Sequence, residues 1–261
     1  MNLLRKCIVW IIMDAGRAYD LVTEVRAMDR RTAKRIILGA AALALALIVG
    51  VRGGRMVQVI AQSREARTLV IDAGHGGFDG GAVGLSGTTE QDINLSIAQR
   101  VQALAEFFGV HTAMTRTDGN ALDYDPSRPV RENKIADIKA REQLVQDMAD
   151  PVLLSIHLNK FSDAQYHGAQ VFYSPNHAGS SALAELLQAA LTEGCDPSNN
   201  RQAKQAESTI YLMKNLDCPA VIVECGFLSN PEEEQRLTDT EYHKKLAASI
   251  VTGYLRYESG G

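Results

Sequence analysis

This chain contains short apolar segments interspersed with longer segments of helical periodicity. Several of the short segments are unbroken apolar runs rather than alternating ones, which is typical of strands covered on both faces. Strands that alternate with helices predict an α/β fold, with a mostly parallel, twisted central sheet flanked by helices on both faces. The predicted strands are Thr68–Gly74, Val110–Thr115, Pro151–His157, Gly168–Tyr173 and Ala220–Cys225, and the predicted helices are Asp92–Phe108, Arg131–Met148, Ser180–Thr192 and Asp239–Tyr257.

A separate uncharged segment, residues 36–51, precedes this region and reads IILGAAALALALIVGV. As a helix it would be about 24 Å long, close to the ~30 Å hydrocarbon core, and the flanking arginines can extend to the interface. We therefore expect a single N-terminal transmembrane helix; a cleaved signal peptide and a buried soluble helix are the alternatives. Eight Lys/Arg precede the segment and two follow it closely, which favours a cytoplasmic N-terminus and a main domain outside the membrane.

These features divide the chain into four parts. They are a cytoplasmic-side extension (1–35), the anchor (36–51), a polar linker (52–67) and a catalytic domain (68–261). Residues 1–55 contain 10 Lys/Arg and 4 Asp/Glu, whereas the remainder contains 17 Lys/Arg and 27 Asp/Glu. Since phosphate binding requires a basic face, an acidic main domain excludes nucleic acid as its expected partner.

Candidate catalytic residues lie where three of the predicted strands end. His75 follows the first strand, His157 ends the third, and Glu224 lies near the end of the fifth. Ligands bind beyond the carboxyl ends of parallel strands, so these residues are expected at one edge of the sheet, as in a metal hydrolase. Glu90, at the start of the helix after a glycine-rich turn, can return to the same edge. From spacing alone, a zinc site and ordinary histidines remain equal alternatives.

Four sequence blocks strengthen the metal hypothesis. In order along the chain they are IDAGHGGFDGGAVG, TTEQDINL, SIHLN and YLMKNLDCPAVIVECGFLSNPEE. Together they resemble the zinc-dependent N-acetylmuramoyl-L-alanine amidases, from about Thr68 to Tyr257. The resemblance implies that His75, Glu90 and His157 bind Zn²⁺ and that Glu224 is the catalytic acid/base. Two blocks, SIHLN and YLMKN, are most similar to the members that act on the spore cortex during germination.

The implied reaction is hydrolysis of the amide between N-acetylmuramic acid and L-alanine in peptidoglycan. Asn159, just beyond His157, is a candidate for substrate binding, and Cys225 is expected to face the core, away from Glu224. No wall-binding repeat is recognisable, so targeting would depend on the membrane anchor or on an activating protein partner. The alternatives are a zinc peptidase that cuts within the stem peptide and an inactive wall-binding module.

Overall fold

Residues 67–260 of the chain are described by a computed structural model. The predicted extension at 1–35, the anchor at 36–51 and nearly all of the linker lie outside these residues. Within 67–260, no helix combines the length and the hydropathy needed to cross a membrane.

In the described part of the chain, the sheet contains the five predicted strands and one further short strand. Its strands are β1 (Thr68–Ala73), β2 (His111–Met114), β3 (Pro151–Asn159), β4 (Gln170–Tyr173), β5 (Lys204–Gln205) and β6 (Ala220–Phe227). Their order across the sheet is β2-β1-β3-β6-β4-β5. β1, β3 and β6 are therefore neighbours, which brings the three predicted strand ends together.

The sheet is mostly parallel, as predicted, but it is mixed because one of its strand pairs is antiparallel. Four strands run parallel to one another: β2, β1, β3 and β6. β4 pairs antiparallel with β6, and β5 pairs parallel with β4. A parallel return requires a crossover of a dozen or more residues, usually a helix. The loop between Asn159 and Gln170 contains no helix, so the chain returns in the opposite direction.

Within residues 67–260, six helices accompany the sheet, four of them at the predicted positions within a few residues. They are α1 (Glu90–Phe107), α2 (Val130–Gln146), α3 (Gly179–Gly194), α4 (Tyr211–Asn215), α5 (Pro231–Leu237) and α6 (Thr240–Glu258). The N-cap of α5 is Asn230, whose side chain accepts hydrogen bonds from the amides of Glu232 and Glu233, and Pro231 occupies the first turn.

Each face of the sheet has its own apolar core. Leu69 and Ile71 of β1 face the larger core with α1, α3 and α6, whereas Val70 faces the smaller core with α2 and α4. This alternation follows from the two-residue period of a strand, and it confirms helices on both faces. The arrangement leaves the carboxyl ends of β1, β3 and β6 free to carry polar groups.

Candidate active site

His75, His157 and Glu224 lie together at one edge of the sheet. His157 of β3 and Glu224 of β6 are register partners, and His75 follows β1 on the other side of β3. The rings of His75 and His157 meet edge to face, with centroids 5.0 Å apart. The structure therefore brings these three residues together as the sequence predicted, because adjacent parallel strands end at the same edge of the sheet.

Glu90 joins the two histidines. It is the first residue of α1, and its amide donates to the carbonyl of Ala82 at 2.8 Å, which closes the glycine-rich turn back toward the sheet. Its Oε1 lies 3.0 Å from Nδ1 of His157, and its Oε2 lies 3.3 Å from Nε2 of His75. Although burial by itself would raise the pKa of Glu90, hydrogen bonds to His157 and then His75 hold it well below its usual range.

His75, Glu90 and His157 have the chemistry of a metal site. One potential ligand atom from each can be chosen such that all three lie within 4.8 Å of one another. Two imidazoles and one carboxylate are a ligand set of catalytic zinc, which keeps a further coordination position open. The donor set therefore fits the metal that the sequence implied.

Glu224 lies beside this cluster and has a different environment. Its Oε2 is buried and has no hydrogen-bond partner, and no Lys or Arg in the described part of the chain forms an ion pair with it. Burial raises the pKa of Glu224 to about 7; the neighbouring imidazole of His157 opposes this shift and the negative charge of Glu90 adds to it. A buried carboxylate with an unsatisfied oxygen is unusual in a purely structural role and is a candidate proton carrier.

Two glycines make the close packing at the site sterically feasible. A Cβ atom on Gly74 would lie 2.3 Å from Cε1 and Nε2 of His157. A Cβ atom on Gly81, whose φ is +69°, would lie 2.6 Å from Oε2 of Glu90. Both distances are far inside van der Waals contact, so each position requires a residue without a side chain.

Two residues that were not predicted from the sequence, Asp79 and Lys134, form polar contacts that orient the ring of His75. Asp79 Oδ2 lies 2.9 Å from Nδ1 of His75, and Lys134 lies 2.9 Å from Oδ1 of Asp79. These contacts leave Nε2 of His75 facing Glu90. Burial alone would lower the pKa of His75. The hydrogen bonds of its ring to Asp79 and Glu90 outweigh burial and raise the pKa of His75 to about 9. The four-residue spacing of His75 and Asp79 was the available signal, but a turn does not reveal which side chains meet.

A cleft of about 360 Å³ opens onto the site. Its lining combines polar groups, including those of His75, His157 and Glu224, with the apolar side chains of Ile138, Ile210, Leu212 and Ile222. Apolar side chains with a few polar groups among them are the usual composition of a small-molecule or peptide site.

Two further residues were singled out from the sequence, Cys225 and Asn159, and they lie in different surroundings. Cys225 is fully buried in the larger core, as expected for the residue after Glu224. Asn159 ends β3, two residues beyond His157, but it is not among the residues that line the cleft. Its contact with substrate therefore stays a prediction.

Comparison with known proteins gives a consistent result. A family model for N-acetylmuramoyl-L-alanine amidases matches residues 69–256. The germination-specific N-acetylmuramoyl-L-alanine amidase of Bacillus subtilis is 35% identical over 193 residues, which cover 74% of this chain and 80% of that protein. The amidase AmiA of Escherichia coli is 25% identical over 239 residues, covering 75% and 78% of the two chains.

Solved structures agree with the sequence comparison. The CwlD amidase from Clostridioides difficile, in complex with the GerS lipoprotein, is 37% identical with a TM-score of 0.71, over 74% of this chain and 99% of that chain. The catalytic domain of CwlV, an N-acetylmuramoyl-L-alanine amidase from Bacillus (Paenibacillus) polymyxa, has a TM-score of 0.61 at 26% identity, over 74% and 98%. From its sequence and its fold, this chain belongs to the N-acetylmuramoyl-L-alanine amidase family.

Proposed function

We propose that this protein hydrolyses the amide bond between the lactoyl carboxyl group of N-acetylmuramic acid and the amino group of L-alanine in peptidoglycan. The observation that carries the proposal is the convergence of His75, Glu90 and His157 within 4.8 Å, beside the unpaired carboxylate of Glu224. Membership of the amidase family supplies the reaction class.

His75, Glu90 and His157 would hold one zinc ion. When bound, zinc lowers the pKa of a coordinated water toward about 7 and polarises a substrate carbonyl. Asp79 would keep Nδ1 of His75 occupied so that Nε2 stays directed at the site. Such outer partners fix the orientation of ligating histidines.

Glu224 would move the proton. As a carboxylate it accepts a proton from the attacking water while oxygen bonds to the amide carbon. It then donates that proton to the alanine nitrogen as the carbon–nitrogen bond breaks, which releases a neutral amine. Burial raises the pKa of this carboxyl group above its ordinary value, which favours its taking up a proton from water.

The substrate would lie across the cleft. We propose that the stem peptide contacts the apolar side chains of Ile138, Ile210, Leu212 and Ile222, and that the scissile amide lies at the polar groups of the cleft. Asn159 would contact the substrate from the end of β3. The germination-specific relative and the SIHLN and YLMKN blocks support spore-cortex peptidoglycan as the material that is cut.

We also propose a location and a partner. Residues 36–51 would anchor the protein in the cell membrane, with the catalytic domain on the wall or cortex side, as their composition and flanking charges favour. An activating protein partner is proposed because a solved relative forms a complex with a lipoprotein.

The test is digestion of purified peptidoglycan by the full-length protein, followed by mass analysis of the products. Amide hydrolysis releases an intact stem peptide with a free alanine amino group and leaves a glycan with a free lactoyl carboxyl group. A shortened peptide would instead identify a peptidase. Binding to peptidoglycan without any product from zinc-loaded protein would identify a wall-binding module.

A further inference from the structure

The metal-facing histidine after β1 has an unusual backbone. His75 has a φ of +63°, in the left-handed region that residues with a side chain seldom adopt. Such a conformation persists only where the surrounding structure holds it. The groups that hold the backbone at His75 therefore determine whether its ring reaches the metal position.

Arg141 of α2 is one of these groups. Its Nη2 donates to the carbonyl of His75 at 2.6 Å, and its Nη1 donates to the carbonyl of Ala73 at 2.8 Å. The same Nη1 lies 2.6 Å from Oδ1 of Asp72, and both side chains of this ion pair are 2% exposed. One planar guanidinium thus binds the strand end on both sides of the turn into His75.

The guanidinium of Arg141 is also held by Asp137, which lies on the same helix. Its Nε donates to Oδ2 of Asp137 at 2.8 Å, one turn earlier on α2. Asp137 Oδ1 in turn accepts the amides of Leu122, at 2.6 Å, and Asp123, at 3.3 Å. Arg141 is therefore oriented by protein groups alone and does not depend on a metal for its geometry.

We propose that Arg141 is a positioning residue that prearranges His75 for zinc; this inference rests on the zinc site of the proposed function. A lysine could retain the charge opposite Asp72. Its single ammonium cannot reproduce the fork that reaches His75, Ala73 and Asp137 together. Without the fork, binding zinc must also order the turn at His75, so the affinity falls.

The test compares zinc affinity and stability of the metal-stripped, full-length protein. Arg141→Lys is measured by competition with a chelator, beside a thermal unfolding midpoint. The matched control is Val145→Ala, a fully buried apolar residue one turn further along the same helix. Loss of an outer partner of a metal ligand typically costs about 10–100-fold in metal affinity. We expect at least tenfold weaker zinc binding in Arg141→Lys and a change below twofold in Val145→Ala, even where both midpoints fall.

A second variant covers the case in which Arg141→Lys does not fold. Asp72→Asn combined with Arg141→Met removes both charges of the buried pair, so that neither is left unpaired. Wild-type zinc affinity in either folded variant overturns the inference. Failure of both variants to fold beside a folded Val145→Ala also overturns it, because Arg141 would then serve the core as a whole. If wild-type protein binds no zinc, the proposed function itself fails, which is a different result.

Discussion

Glu90 and His157 are 67 positions apart in the chain, yet Oε1 of the first lies 3.0 Å from Nδ1 of the second. Glu90 begins a helix and His157 lies near the end of a strand, so the pair joins two elements at the edge of the sheet. The amide of Leu158 also donates to Oε1 of Glu90 at 3.0 Å. The carboxylate is thus held by the strand that carries the histidine.

Replacing His157 with Ala is expected to strip zinc from the protein. The two remaining proposed ligands, His75 and Glu90, bind the metal less tightly than three do. Elemental analysis of purified protein measures the metal content. His111→Ala is the matched control, since His111 is exposed at the start of β2, at the opposite edge of the sheet. Near-stoichiometric zinc in the His157 variant would rule out this ligand.

Glu224→Gln is expected to retain the fold and the zinc but to lose at least two decades of amide cleavage. Glutamine preserves the shape but cannot carry a proton, and general acid–base catalysis contributes about 10²–10⁴-fold. Zinc content, the unfolding midpoint and stem-peptide release are measured on one sample. Cleavage at the wild-type rate by a zinc-loaded variant would move the proton-carrying role to another group.

The stability of the metal-free protein should depend on pH through Glu224. Its pKa is about 7 when folded against 4.5 as the reference value, so the folded state binds this proton more tightly than the unfolded chain does. The stabilising contribution is present below pH 4.5 and is lost as pH rises to about 7. Above that pH, Glu224→Gln is expected to be more stable than wild type by roughly 2–4 kcal/mol.

Denaturant unfolding of metal-free wild type and Glu224→Gln at pH 4.5 and pH 8 measures this difference. Glu207→Gln, at an exposed position, controls for the loss of one negative charge. An equal difference in the free energy of unfolding at both pH values would show that Glu224 does not have a raised pKa.

Gly74→Ala is expected to displace the ring of His157 and to weaken zinc binding. The added Cβ atom would lie 2.3 Å from two ring atoms, and the ring cannot yield without leaving Glu90. Gly119→Ala is the matched control, because a Cβ atom there has nothing within 4 Å. Chelator competition measures both; equal affinities in the two variants would mean that the ring has room to move.

Residues 36–51 are expected to hold the protein in the membrane with its catalytic domain outside. Protease added to intact protoplasts should then digest the catalytic domain, whereas a cytoplasmic marker protein survives. Survival of the catalytic domain until the cells are lysed would reverse the proposed orientation.

Local patterns of the sequence were sufficient for most of the fold. Apolar runs predicted β1, β3 and β6, because a strand covered on both faces is apolar at most of its positions. The same reasoning placed His75, His157 and Glu224 at one edge, since parallel strands end together. Glu90 was only a weak candidate by spacing, and its identification depended on the resemblance to the amidase family.

Other features depend on groups that are distant in sequence. The antiparallel direction of β4 follows from the path of a loop without a helix, and the two-residue β5 has no periodicity to detect. Arg141 looks like an ordinary surface residue of a polar helix, yet it is 2% exposed and bonded to the turn at His75. Helix periodicity alone does not reveal that a charged side chain will be buried.

The class of fold and the edge that carries the site could be predicted from the periodicity of the sequence and from residue types at strand ends, and the family from the resemblance of four sequence blocks. The 3.0 Å contact between Glu90 and His157, the raised pKa of Glu224 and the hydrogen bond from Arg141 to His75 could not be predicted from the sequence, because they depend on which groups meet in the folded chain. Distances and pKa values depend on burial and on neighbouring charges. At this site the neighbours come from β1, α1, α2, β3 and β6, which meet only when the chain is folded.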